Sequence, residues 1–107
     1  MSNSMDFEAY QEQAWKFAKP TAKTTQYFLP GLAGEVGELC SLFAKSTRDS
    51  TIMDYKLLEK ELGDILWFVS SLAFFHGISL ADVARTNINK LESRQQRGTI
   101  GGSGDDR

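Results

Sequence analysis

Apolar residues recur along most of the chain at intervals of three and four, and nowhere alternate with polar ones over a useful length. That period predicts helices. Phe7, Tyr10, Ala14, Phe17 and Ala18 share one side of a first helix, which Asp6 caps and Pro20 ends. Residues 20–27 read as a polar connection. A second helix is predicted from about Pro30, a good first-turn residue, to about Lys45. After a loop over residues 46–53, Asp54 caps a third helix that reaches His76, and Gly77 stops it. Ser79 caps a fourth, with Asp82 at its third position, ending near Arg97 before Gly98. Four helices with short connections predict an all-α, four-helix-bundle-type fold. With no repeat and no second periodic region, residues 1–107 form one domain. Residues 1–5 are expected to be disordered, and the Gly-rich residues 98–107 to form a loose tail.

Acidic residues break the pattern in a regular way. On a helical projection of the third helix, Phe68, Leu72, Leu57, Phe75 and Ile65 fall within about 40° of Glu61, and Asp64 lies about 60° away. On the second helix, Leu42, Phe28 and Leu39 fall within about 40° of Glu35, with Glu38 about 60° away. Two acids at i and i+3 therefore sit on the core-facing side of each helix. Burying carboxylates is costly, and four facing one another repel. A divalent cation resolves this, and an all-oxygen ligand set selects Mg²⁺ or Mn²⁺. Glu35, Glu38, Glu61 and Asp64 are the candidate metal ligands. The plainer alternative is that some of them reach solvent or pair with Lys or Arg.

The fourth helix carries the opposite charge. Lys90, Arg94 and Arg97 share its inner side with Asn87, Leu80 and Val83, and Lys45 follows Glu38 on the face of the second helix. Cations beside an anionic metal site suit a metal-bound polyphosphate. Arg94 and Arg97 would equally offset the helix dipole at its last turn. Gly31, Gly34 and Gly37 recur at every third position and permit close approach of a helix or a ligand. Trp67 is a candidate for stacking on a base, with the core or a subunit interface as the alternative. The lone His76 excludes a di-iron carboxylate bundle built on Glu-x-x-His pairs, and with the single Cys40 it excludes His/Cys zinc sites.

Composition narrows the class. Twelve Lys plus Arg against fourteen Asp plus Glu give a net charge of -2, unlike the broad basic surface of a nucleic-acid binder. One cysteine forms no internal disulfide. The longest apolar stretch, Ile65 to Phe75, is too short to span a bilayer, and no signal peptide is visible. A cytoplasmic protein without membrane contact is expected. A chain this short, spending inner faces on charge, is expected to pack as a homodimer or a dimer of dimers.

The segments G-L-A-G-E-V-G-E-L (31–39) and E-K-E-L-G-D-I-L-W (59–67), followed by N-I-N-K-L-x-x-R (87–94), resemble the MazG-like all-α nucleoside triphosphate pyrophosphohydrolases. The family pattern is E-E-x-x-E, a spacer, then E-x-x-D. It maps onto Glu35, Glu38, Glu61 and Asp64, with 22 residues between Glu38 and Glu61. Gly34 stands where the family has its first Glu, which leaves the number of metal ions open. The resemblance runs from about residue 27 to 98. It implies Mg²⁺-dependent hydrolysis of an NTP or dNTP between the α and β phosphates, giving a nucleoside monophosphate and pyrophosphate. Glu38 would act as the base, Lys45, Asn87, Lys90, Arg94 and Arg97 would hold the substrate, and the role would be nucleotide-pool cleaning. Two rivals stand beside it: a non-catalytic helical interaction or regulatory module, and a narrower dUTP/dCTP-type all-α hydrolase.

Overall fold

The computed structural model describes residues 4–107, so the expectation of disorder over residues 1–5 lies, for its first three, outside the described residues. Four α-helices follow one another: α1 (Phe7–Trp15), α2 (Thr25–Arg48), α3 (Tyr55–Phe75) and α4 (Leu80–Arg97), with a 3-10 turn at Pro20–Ala22. No strand occurs among the described residues. The caps of α1, α3 and α4 are those the sequence predicts. Asp6, Asp54 and Ser79 accept from the amides of Ala9, Lys56 and Asp82, and Gly77 and Gly98 each adopt a φ of 71° at the helix ends.

Two boundaries differ. α2 begins at Thr25, inside the segment expected to be a polar connection, because the Thr24 hydroxyl accepts from Tyr27 N and caps the helix there. Pro30 consequently lies inside α2, past its first turn, where it leaves the Gln26 carbonyl without its helical amide. α1 ends at Trp15, short of Pro20, and Ala18 reaches its buried place through the turn that follows. Phe17, expected on the apolar side, points outward.

The loop at 49–54 returns the chain so that α2 and α3 lie against each other along their length. Gly31 lets them close: a Cβ there would come within 2.2 Å of the Phe68 ring. Phe28 is fully buried, ringed by Trp15, Tyr27, Trp67 and Phe75 with centroids 5.7 to 6.1 Å away. α1 packs on α3 and α4. Its buried Gln11 is the polar joint, donating to Ser70 O and Ile78 O and accepting from Leu80 N, so that one amide ties three helices.

The tail is not loose. Residues 98–107 fold back along α4, and Arg107 donates to the carbonyls of Thr99, Ile100, Gly101 and Gly104. A single guanidinium with five donors replaces the ladder a Gly-rich segment lacks. No single described helix is long and apolar enough to cross a membrane.

The apolar core of one chain is thin. Buried hydrophobic residues are Ala14, Ala18, Phe28, Ala73 and Leu80. The radius of gyration is 16.8 Å, against about 13 Å for a compact chain of this length. The accessible surface is 8018 Å², and a compact monomer of this mass exposes roughly 5,900 Å².

Candidate functional site

α2 and α3 bring three of the predicted acids together. One carboxylate oxygen each from Glu35, Glu38 and Glu61 lies within 4.8 Å of the others. Glu35 and Glu61 are half-buried, and their Oε2 atoms are fully buried with no hydrogen-bond partner. Glu38 is exposed at the mouth. None of the ion pairs among the described residues involves these three or Asp64. The plainer alternative holds in part: Glu38 and Asp64 reach solvent, while none of the four acids is paired with Lys or Arg among the described residues. Two orphaned carboxylate oxygens converging in an all-oxygen cluster fit a hard divalent cation.

Electrostatics agree with that reading. The Glu35 carboxyl is pushed above its ordinary value, first by burial, then by the neighbouring charges of Glu38, Asp64 and Glu61. Asp64 itself is exposed and stands outside the tight group of three. It lies one turn beyond Glu61, close enough to act on Glu35 and on the Tyr10 phenol of α1, whose pKa is raised by burial and then by Asp64. Tyr10 reads in the sequence as one more apolar residue of α1, and only its phenolic oxygen hints at the polar end it turns toward Asp64.

The acids open onto a groove of about 590 Å³ lined by Gly34, Gly37, Glu38, Ser41, Leu42, Lys45 and Glu61. Gly34 and Gly37 have nothing near the position of a Cβ, so their absent side chains widen the groove, while Gly31 serves helix contact. Lys45 is thus the one predicted cation that shares a groove with the acids. Ser41 is an additional lining hydroxyl that periodicity did not single out.

The α4 residues are placed elsewhere. Asn87 and Lys90 line a second groove with Ile78, Asp82, Val83 and Thr86, and the two grooves share no residue. Lys90 Nζ donates to Asp105 Oδ1 at 2.8 Å. Arg94 Nη2 donates to the same oxygen at 3.0 Å and to Asp105 O at 2.6 Å. Arg97 reaches Ser93 Oγ and Arg107 O. A helical projection gives a residue's phase on its own helix and not which neighbour that side meets, which is why these cations looked adjacent to the acids. Trp67 is also away from the groove. Its Nε1 donates to Ala14 O at 3.0 Å and its ring packs on Phe28 and Phe68, the core alternative.

Fold and site together define an all-helical protein whose central helix pair presents a cluster of unpaired carboxylates in an open groove. The chain belongs to the MazG nucleotide pyrophosphohydrolase domain family, whose model matches residues 23–99. The chain is 42% identical over 85 residues to the Gene 37 protein of Mycobacterium phage L5, a match covering 76% of this chain and 75% of that one. No solved structure gives a significant match.

Proposed function

We propose that the chain is a Mg²⁺-dependent pyrophosphohydrolase of nucleoside triphosphates, cleaving an NTP or dNTP to the monophosphate and pyrophosphate in nucleotide-pool cleaning. The observation that carries this is the pair of buried, partnerless oxygens of Glu35 and Glu61 beside Glu38. Glu35, Glu38 and Glu61 would hold the divalent cation, Mg²⁺ or Mn²⁺, with Asp64 alongside. When bound, such a cation neutralises polyphosphate charge and lowers the pKa of a coordinated water. Glu38, exposed at the groove mouth, orients the attacking water and accepts its proton. Lys45, on the same groove wall, pairs with phosphate oxygens. Catalysis in this arrangement rests on positioning and charge stabilisation.

Asn87, Lys90, Arg94 and Arg97 complete phosphate binding in this reading, and a second copy of the chain brings them to the acids. Support for a second copy comes from the surface. One chain exposes about 2,000 Å² more than a compact monomer of its mass, an area in the range buried by obligate dimers. Leu29, Val36 and Phe43, spaced by seven on α2, are 53%, 43% and 46% exposed, a seam suited to a partner helix. The working form is a homodimer or a dimer of dimers in the cytoplasm.

A panel of NTPs and dNTPs incubated with Mg²⁺, with pyrophosphate and orthophosphate measured separately, tests the reaction. Pyrophosphate with the monophosphate is expected. Orthophosphate alone would refute cleavage between the α and β phosphates. Turnover confined to dUTP or dCTP would select the narrower hydrolase, and no turnover with no thermal stabilisation by Mg²⁺ and nucleotide would select the non-catalytic module.

A further inference from the structure

The tail and α4 share a feature that the hydrolytic reading does not use. Arg94 is 5% exposed, and its Nε is buried without a partner. A buried guanidinium needs a counter-charge. Here that charge comes from eleven residues on, where the Asp105 side chain is 80% exposed. The same Asp105 oxygen takes Lys90 Nζ, so a single carboxylate bridges both cations. Asp105 is held below the ordinary aspartate value by its hydrogen bonds from Lys90 and Arg94, so it stays ionised. Arg97 grips the carbonyl of Arg107, and Arg107 in turn closes the turn over residues 99–104. At its root the tail is held by Thr99 N–H donating to Arg94 O at 2.7 Å, and beyond Thr99 its hydrogen bonds to α4 go to the side chains of Lys90, Arg94 and Arg97.

We propose that residues 98–107 are a strap whose Asp105 carboxylate occupies the Lys90–Arg94 cation pair in the resting protein and yields it to a phosphate group of the incoming nucleotide. The proposal rests on the reading of Lys90 and Arg94 as phosphate ligands. A carboxylate and a phosphate oxygen present the same acceptor to ammonium and guanidinium donors, and a triphosphate carries more charge. Phosphate entry displaces the Asp105 carboxylate and frees the tail from α4. Because the resting pair must open first, apparent affinity is lowered by the closed fraction. Gly98, Gly102 and Gly104, all at positive φ, supply joints on which the segment swings.

The test is calorimetric titration of the full chain with inorganic tripolyphosphate in EDTA, so that no metal bridges the probe to the acids. Asp105→Asn is expected to tighten binding about fivefold, because the Lys90 and Arg94 pairs it releases share one exposed, solvent-screened carboxylate. Asp106→Asn, a neighbouring acid outside the bridge, serves as the control for general charge and is expected to change binding little. Lys90→Gln is expected to weaken it. In the wild-type chain, amide exchange over residues 98–107 should rise when tripolyphosphate is added. Weakening by Lys90→Gln with no tightening by Asp105→Asn would overturn the strap while leaving the phosphate reading intact. Equal tightening by Asp106→Asn would overturn it as a mere charge effect. No response to Lys90→Gln or Asp105→Asn would overturn both readings.

Discussion

Glu35 carries the electrostatic cost of the site. Its carboxyl titrates above the ordinary 4.5 because of burial and three neighbouring acids. The folded chain thus holds a proton there at pH values where the unfolded chain has released it. Stability of the metal-free protein consequently falls as pH rises from the ordinary glutamate range through the raised value. Thermal unfolding in EDTA should show that fall, Glu35→Gln should flatten it, and Mg²⁺ should restore the wild-type melting temperature. A melting temperature in EDTA that climbs through the same window would refute the strain assigned to this cluster. At this scale the sequence was informative about Glu35, Glu38 and Glu61, because three carboxylates on apolar faces contradict burial unless something compensates them. It was uninformative about Tyr10 and Asp64. Whether a side chain at the margin of a face turns to solvent or to a neighbour depends on helix packing, which periodicity does not encode.

At the scale of elements, the glycines of α2 separate into two kinds. Gly31 is required by the approach of Phe68, so Gly31→Ala should cost about 1–3 kcal/mol through overpacking. Gly34 meets nothing, so Gly34→Ala should stabilise by about 0.5–1 kcal/mol through helix propensity. Urea denaturation of both variants checks the pair, and the same sign for both would contradict the assigned contacts. Gln11→Ala should cost about 1–3 kcal/mol, since it strands the buried amide of Leu80 and removes a donor from the carbonyls of Ser70 and Ile78. Ends of elements were legible where a local device writes them: Asp54 and Gly77 around α3, Ser79 and Gly98 around α4. The start of α2 was not, because Pro30 offered a second, equally plausible first turn and the Thr24 cap six residues earlier prevailed. The tail is a loop, as its composition indicates, and its order was not legible because it comes from Arg107 and Asp105 side chains, while Gly-rich composition reports only backbone freedom.

For the molecule as a whole, the thin core and the exposed Leu29, Val36 and Phe43 seam leave apolar surface that the proposed second copy would cover. Sedimentation should give a dimer or tetramer, and Val36→Glu should dissociate it and depress activity by separating α4 cations from the acids. A wild-type chain that is active as a dilute monomer would refute this assembly. The family is legible from Glu35, Glu38, Glu61 and Asp64 together with the α4 motif, and the matched span of residues 23–99 covers the same helices. What the sequence could not convey is that one chain holds its acids and its α4 cations in separate grooves. The central claim is that the carboxylates of α2 and α3 are a metal-dependent hydrolytic site. Pyrophosphate release from nucleoside triphosphates, measured for the wild type and Glu38→Gln with Mg²⁺ and with EDTA, tests it most directly. Release by the wild type only with Mg²⁺, and loss in folded Glu38→Gln by at least about 100-fold, is the predicted result. Full turnover by Glu38→Gln, or undiminished turnover in EDTA, would contradict it.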